Sequence, residues 1–178
     1  MRCGGRERRG VAGDLAGIVE VLVDGGVEVV VIGGLAAQAH GAARLTQDAD
    51  FIYRRTNENI ARLAAALAPH APYLRGAPPG LPFRFDPDTI RRGLNFTLSC
   101  DLGDVDLLGE MVGGGSFDEV APHTVELLVF GRSVRVLDLP ALIRAKRAAG
   151  RPKDLEAIAE LEVLLAERAQ TDTKPRSG

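Results

Sequence analysis

Apolar residues recur along the chain with two periods, one typical of helices and one typical of strands. After Asp14, a residue type that caps helices, they return every three or four positions, which predicts a helix over 14–24. The β-branched run 27–32 is continuous and predicts a strand buried on both faces, and 49–53 predicts a second strand. The first part of the chain therefore mixes both types of element.

The rest of the chain continues this mixed pattern, which predicts a single domain of the α+β class. Residues Pro69–Pro87 contain six prolines and two glycines, which predicts a long loop or lid. The other predicted elements are a helix from Thr56 or Asn57 to 67, strands over 94–100 and 104–109 joined by a tight turn, a hairpin of 125–130 and 133–137, a helix over 138–150 and a final helix over 152–168.

The length of 178 residues favours one domain, which we expect to span 14–169. The first thirteen residues are rich in arginine and glycine and lack apolar periodicity. Residues 170–178 are polar. We expect both ends to be disordered, because neither can bury enough apolar surface to offset the cost of ordering it.

Composition and charge narrow the classes of protein to consider. The net charge is −2 with a pI near 5.9, so no overall basic field favours nucleic acid, although a local groove for RNA stays open. The two cysteines, Cys3 and Cys100, do not make a disulfide framework. No apolar run approaches the ~20 residues that span a bilayer. We therefore expect a cytoplasmic protein with no membrane partner.

Gly33-Gly34 ends the first predicted strand immediately before a short helix expected over Leu35–His40. Glycines allow the backbone to approach a ligand closely, and the N–H groups at a helix start favour an anion. The segment lacks the Gly-Lys-Ser/Thr ending of a P-loop and the three-glycine dinucleotide fingerprint. It is a candidate phosphate site of another kind.

Asp48 and Asp50 give the strongest chemical signal. Alternate residues of a strand point to the same face, with Cα atoms about 6.6 Å apart. Two carboxylates held side by side repel each other, and a divalent cation removes that cost. A small set of oxygen donors suits Mg²⁺, which completes its shell with water and substrate phosphates; Mn²⁺ is the alternative ion.

A third carboxylate is needed where two metal ions act together. Asp104 and Asp106 lie on the same face of the later predicted strand, and either can supply it. We prefer Asp106, which lies further inside the strand.

These residues form a recognisable pattern. It resembles the signature of the polymerase-β-like nucleotidyltransferase superfamily, and in particular its minimal bacterial members, which include the type IV abortive-infection toxin nucleotidyltransferases. The matching residues are Gly33-Gly34, Ala36, His40-Gly41, Arg44-x-Thr46 and Asp48-x-Asp50. The resemblance covers residues 27–168 and implies a mixed sheet flanked by helices, bound NTP and Mg²⁺, and transfer of a nucleotide to an acceptor. One departure is Ala49, where the family favours Ile or Val.

The resemblance also implies roles for individual residues. Gly33 and Gly34 contact the triphosphate, Asp48 and Asp50 hold the metal ions, and Asp106 completes the metal site and acts as the base.

Five further polar residues are candidates for roles in this site or in the structure around it. We expect Arg44, Thr46 and Lys146 to belong to the nucleotide site, although Arg44 could equally pair with an aspartate. Asp154 is expected to hold Lys146 in place, the alternative being a solvated basic helix. His40 is expected to pack or to bond a helix end rather than to carry protons.

The sequence therefore predicts a Mg²⁺-dependent transferase that moves an NMP from an NTP to an acceptor hydroxyl. The acceptor is left open between a tRNA 3′ end, a protein side chain and an aminoglycoside, as is a toxin role with a cognate antitoxin. The alternatives are a catalytically inactive nucleotide-binding or antitoxin-type protein of the same fold, a glycosyltransferase, which needs a longer chain, and a non-catalytic RNA-binding module.

Overall fold

The computed structural model describes residues 13–172, so most of both predicted disordered ends lies outside the described residues. Within this range the chain forms seven α-helices and nine strands. The helices are α1 (Leu15–Asp24), α2 (Gly33–Ala39), α3 (Asn57–Leu67), α4 (Pro87–Arg92), α5 (Phe117–Val120), α6 (Leu139–Ala149) and α7 (Pro152–Asp172). The strands are β1 (Val29–Ile32), β2 (Ala49–Tyr53), β3 (Tyr73–Leu74), β4 (Asn95–Cys100), β5 (Gly103–Leu108), β6 (Glu110–Met111), β7 (Gly115–Ser116), β8 (Thr124–Val129) and β9 (Arg132–Leu137).

Seven of the strands form one mixed sheet in the order β3-β4-β5-β2-β1-β9-β8. The β2–β5 and β1–β9 pairs are parallel, and the other neighbours are antiparallel. β1 and β2 lie near the centre of the sheet, and the β-branched residues of β1 are buried throughout. The residues that follow β1 and precede β2 are therefore attached to central strands of the sheet.

Helices flank the sheet in two groups. In the first group α3 contacts α1 and α4, and in the second α6 contacts α2 and α7. The helix ends follow the sequence signals: Asp14, Thr56 and Asp138 each accept a hydrogen bond from the first turn of the helix they cap. Gly150 ends α6 in the left-handed conformation, with φ of 63°. The predicted mixed sheet flanked by helices is confirmed.

The structure differs from the predictions in three segments. Part of the proline-rich segment 69–87 forms β3, an edge strand, and the tip of the following loop is held by Tyr73, whose hydroxyl donates to Pro78 O and accepts from Leu81 N. Residues around Gly113–Gly115, which lie outside every predicted element, turn the small β6–β7 hairpin. α7 continues to Asp172, so residues 170–172 are helical rather than disordered.

No helix within residues 13–172 is long and apolar enough to cross a membrane.

Candidate active site

Two of the predicted carboxylates are direct neighbours in the sheet. Asp50 on β2 lies opposite Asp106 on the parallel strand β5, and it also faces Ile32 at the end of β1. Asp48 is exposed and precedes β2 by one residue. All three aspartates line one cavity of about 370 Å³. The structure thus brings together the three side chains proposed as metal ligands.

The position of Asp50 makes its negative charge costly. Burial is the main reason that the pKa of this carboxyl is raised from 3.8 to about 6, and the nearby negative charges of Asp106 and Asp48 raise it further. The Arg75 guanidinium acts in the opposite direction. A carboxylate held at such a position is stabilised by any cation that enters the cavity.

Close packing against neighbouring side chains is a second reason for glycine at residues 33 and 34, besides access of the backbone to a ligand. Gly33 has a φ of +63°, and a Cβ built there would clash with the Asp50 carboxylate, whose Cγ would lie 3.0 Å away. A Cβ at Gly34 would lie 2.8 Å from Thr46 Oγ1. Both glycines line the cavity at the start of α2, where Ile32 offers no side-chain cap to the first N–H groups.

The loop between α2 and β2 is fixed at two points. Thr46 Oγ1 bonds the backbone of Asp48, donating to its oxygen at 3.2 Å and accepting from its nitrogen at 3.3 Å. Glu160 on α7 accepts a hydrogen bond from Ala43 N at 2.6 Å. Arg44 lines the cavity, and within residues 13–172 its side chain forms no ion pair or hydrogen bond, so the predicted alternative of pairing with an aspartate is not observed.

Lys146 is held as the sequence suggested. Its Nζ lies 3.5 Å from Asp154 Oδ1, and Arg151 Nε donates to Asp154 Oδ2 at 2.8 Å. Burial alone would raise the pKa of Asp154, but the hydrogen bond from Arg151 and the charges of Arg151 and Lys146 outweigh it, so that the pKa is lowered. Asp154 therefore remains ionised and fixes two cations at the cavity wall.

The cavity gathers all eight of the predicted site residues. Its other lining residues include two cations that the sequence analysis did not select, Arg151 and Lys153. Arg151 lies between α6 and α7, and Lys153 lies in the first turn of α7 next to Asp154; this clustering of charges was the available signal. The eight predicted residues that line the cavity are Gly33, Gly34, Arg44, Thr46, Asp48, Asp50, Asp106 and Lys146.

Asp104 and Asp106, the two candidates for the third metal-binding carboxylate, differ in their positions, and Arg75 contacts both of them. Asp106 lines the cavity, whereas Asp104 does not. Arg75 Nη2 donates to Asp106 Oδ1 at 2.9 Å, and Arg75 Nε lies 3.2 Å from Asp104 Oδ2. Asp104 also accepts a hydrogen bond from Ser99 Oγ at 2.6 Å. No local pattern marked Arg75, which reaches the site only because β3 pairs with β4.

The donor chemistry of the site fits a hard divalent cation, since Asp48, Asp50 and Asp106 offer only carboxylate oxygens. Among residues 13–172, however, no group of three acidic, histidine or cysteine side chains is arranged to hold an ion as it stands. Asp106 is engaged with Arg75. Its Oδ1 accepts the hydrogen bond from Arg75, so a metal ion that used this oxygen would displace Arg75.

A second cleft meets the first at the aspartates. It has a volume of about 420 Å³, shares Asp50, Asp106 and Lys146 with the polar cavity, and is otherwise lined mainly by apolar side chains such as Met111 and Leu142. The two carboxylates thus lie where a polar space and an apolar space join. Two reactants could approach each other there from different sides.

His40 has a structural role, as expected. It is 4% exposed, its Nε2 is 2.8 Å from Leu137 O, and its Nδ1 is 3.0 Å from Arg168 Nη1. These partners require Nε2 to carry the proton, because Arg168 can only donate. Burial lowers the pKa of the imidazole, which keeps it neutral.

Comparison with solved structures gives the class of fold. This mixed sheet with its flanking helices is a nucleotidyltransferase-like fold. The chain is similar to the antibiotic-resistance factor ANT(2″)-Ia, with a TM-score of 0.50 and 17% sequence identity over 88% of this chain and 90% of that one. At this identity the likeness shows the fold. No protein-family model and no curated protein matches the sequence.

Proposed function

We propose that this protein is a Mg²⁺-dependent nucleotidyltransferase that moves an NMP from an NTP to an acceptor hydroxyl. The observation that carries the proposal is the pairing of Asp50 with Asp106 on parallel strands, beside Asp48 and in one cavity with four cationic side chains. Carboxylates suit metal ions and cations suit phosphates, and a nucleoside triphosphate bound to Mg²⁺ needs both.

The cations and glycines would bind the triphosphate. Lys146 and Arg151 are fixed by Asp154, whereas Arg44 and Lys153 are exposed and can move towards a ligand. Gly33 and Gly34 present the start of α2 to the same space. These groups would hold the α-phosphorus at Asp48 and Asp50, so that positioning supplies much of the catalysis.

The reaction is an in-line displacement. The acceptor oxygen forms a bond to the α-phosphorus, the bond from the α-phosphorus to the bridging oxygen breaks, and pyrophosphate leaves. Asp106 accepts the proton of the acceptor hydroxyl. Bound at Asp48, Asp50 and Asp106, Mg²⁺ would neutralise the charge that develops on the phosphate oxygens. Mn²⁺ has the same donor preferences and is the alternative ion.

The acceptor and the biological setting are further parts of the proposal. A tRNA 3′ end or a protein hydroxyl would enter through the apolar cleft beside Asp106. By the sequence resemblance, the protein would act in the cytoplasm as a toxin held in check by a cognate antitoxin. These assignments rest on the resemblance and not on the fold.

The test is transfer of label from each α-labelled NTP, with Mg²⁺ and cell lysate, followed by separation of RNA from protein. We expect label in one fraction with wild type and none with Asp50→Asn or Asp106→Asn. Asp101→Asn is the matched control, because this exposed carboxylate lies in the β4–β5 turn away from the cavity. Label in neither fraction, or label that persists in Asp50→Asn, would contradict the proposal.

One observation favours a second candidate, a nucleotide-binding protein of the same fold without catalytic activity. Asp106 is paired with Arg75, as it would be if no metal ion used it. Binding of nucleotide that does not depend on Mg²⁺, without transfer of label, would support this candidate.

A further inference from the structure

The Arg75 guanidinium contacts Asp106, one of the three proposed metal ligands. It is the only described cation in contact with Asp106, through the 2.9 Å hydrogen bond from Nη2 to Oδ1. Its side chain is 28% exposed, so the contact is partly shielded from water. Such a charge-assisted hydrogen bond is stronger than one between neutral groups, and a metal ion that bound Asp106 through Oδ1 would have to replace it.

The same guanidinium has a second carboxylate within reach. Arg75 Nε is 3.2 Å from Asp104 Oδ2 but forms no hydrogen bond with it, because the two groups are not aligned. Asp104 is itself held by the 2.6 Å hydrogen bond from Ser99. A small rotation of the guanidinium could therefore exchange its bond to Asp106 for one to Asp104, without leaving a buried charge unpaired.

The backbone at Arg75 is firmly attached to the sheet. Arg75 N donates to Thr97 O at 3.0 Å. In the guanidinium, Nη2 donates to Leu98 O at 3.2 Å as well as to Asp106, so it keeps one acceptor when Asp106 is released. The residue is thus fixed at its backbone, and the guanidinium is the part that can change partners. Movement of the whole loop is not needed.

We propose that Arg75 is an internal counter-ion that competes with the divalent cation for Asp106, and that Asp104 keeps Arg75 when Asp106 is released. This inference rests on the proposed metal site. It assigns different roles to the two carboxylates that the sequence could not separate: Asp106 is the ligand, and Asp104 is a positioning residue that acts through Arg75. Arg75 thereby sets the affinity of the site for metal before any nucleotide binds.

The test is titration of the nucleotide-free protein with Mn²⁺, with free Mn²⁺ followed by electron paramagnetic resonance. Removing the competing bond in Arg75→Gln should tighten Mn²⁺ binding by about tenfold, the factor expected for a charge-assisted hydrogen bond. Arg84→Gln removes the same charge from the same loop without touching Asp104 or Asp106, and should leave the affinity unchanged.

The Arg75→Lys variant distinguishes an effect of the direct contact with Asp106 from an effect of the positive charge alone. It keeps the positive charge but loses the planar fork that reaches both carboxylates. We expect its affinity to rise towards that of Arg75→Gln. An affinity equal to wild type in Arg75→Lys, or weaker binding in Arg75→Gln that is fully folded by circular dichroism, would overturn the inference. If Arg75→Gln does not fold, Arg75→Lys alone decides.

A double variant tests the role of Asp104. In the Arg75→Gln background, Asp104→Asn should have little further effect on Mn²⁺ affinity, whereas Asp106→Asn should remove the gain. If Asp104→Asn and Asp106→Asn weakened Mn²⁺ binding equally in this background, Asp104 would also be a ligand, and the inference would be overturned. Identical binding by wild type and all Arg75 variants would overturn the inference and leave the metal site standing, whereas no binding by any of them would overturn both.

Discussion

Gly33 and Asp50 are packed so closely that the glycine cannot carry a side chain: a Cβ at residue 33 would lie 3.1 Å from the Asp50 Cβ and nearer still to its carboxylate. The glycine that opens α2 and the aspartate on β2 therefore fix each other. In the proposed reaction Gly33 would lie on the phosphate side of the cavity and Asp50 on its metal side, so their spacing is built into the fold.

Gly33→Ala should destabilise the protein by about 2–4 kcal/mol, because strain at positive φ and a clash with Asp50 act together. Gly76→Ala is the matched control. Gly76 has a φ of +74° but nothing within 4 Å of a Cβ, so its substitution should cost only the strain, about 1 kcal/mol. The free energy of unfolding measured with urea checks both. Equal losses would show that the contact with Asp50 has no energetic consequence.

The raised pKa of Asp50 predicts a stability that depends on pH. Because the folded state binds this proton more tightly than the unfolded state, the stabilisation is complete below pH 3.8 and is lost as the pH rises through about 6. Asp50→Asn removes the titration. In the absence of metal, the variant should be more stable than wild type by about 3 kcal/mol near pH 7.5, and the difference should shrink towards pH 4.

Mg²⁺ should close this difference, since it stabilises the ionised Asp50 of wild type and has no comparable site in the variant. The lowered pKa of His40 makes stability depend on pH in the opposite direction, because stability is lost as the pH falls below 6.5. This contribution is the same in wild type and in Asp50→Asn, so it cancels in the comparison. An Asp50→Asn variant less stable than wild type at neutral pH would show that the carboxylate is not strained.

Asp154→Ala should be strongly destabilising, by about 3 kcal/mol, because it leaves the charge of Lys146 without a partner in a site where that side chain is 13% exposed. Nucleotide binding should weaken as well, since Lys146 and Arg151 lose the group that positions them. The exposed pair Arg147–Glu162 provides the control, and Glu162→Ala should cost less than about 1 kcal/mol. Thermal denaturation and nucleotide titration measure the two effects.

His40→Ala should destabilise the fold by about 2–3 kcal/mol through the loss of two buried hydrogen bonds and some packing. Below its melting temperature the variant should retain transferase activity, because His40 does not line the cavity. His123→Ala, at an exposed position, should change neither property. A change in the pH profile of the variant's activity would instead show that His40 carries protons.

Local signals in the sequence were sufficient to predict most of the helices and strands. Asp14, Thr56 and Asp138 cap their helices, and the run over 49–53 is a strand with the predicted ends. α4 and α5 were not predicted, because a six-residue and a four-residue helix hold too few residues for a period to show.

The site was predictable as far as its residues lie close together in sequence. Gly33, Gly34, Asp48 and Asp50 fall within one short segment, and their spacing indicated shared chemistry. Arg75 was missed because its contact with Asp106 depends on the register of β3, β4 and β5, which no local pattern encodes. The close packing of Gly34 against Thr46 was hidden for the same reason.

The final helix of the described chain has a consequence for how the protein matures. α7 holds the loop before β2 through Glu160, binds His40 through Arg168, and contributes Asp154 to the cavity wall. A nascent polypeptide that has not yet released α7 from the ribosome can form the central strands but not the finished cavity. Competence to bind substrate would therefore arise only after α7 has left the ribosome.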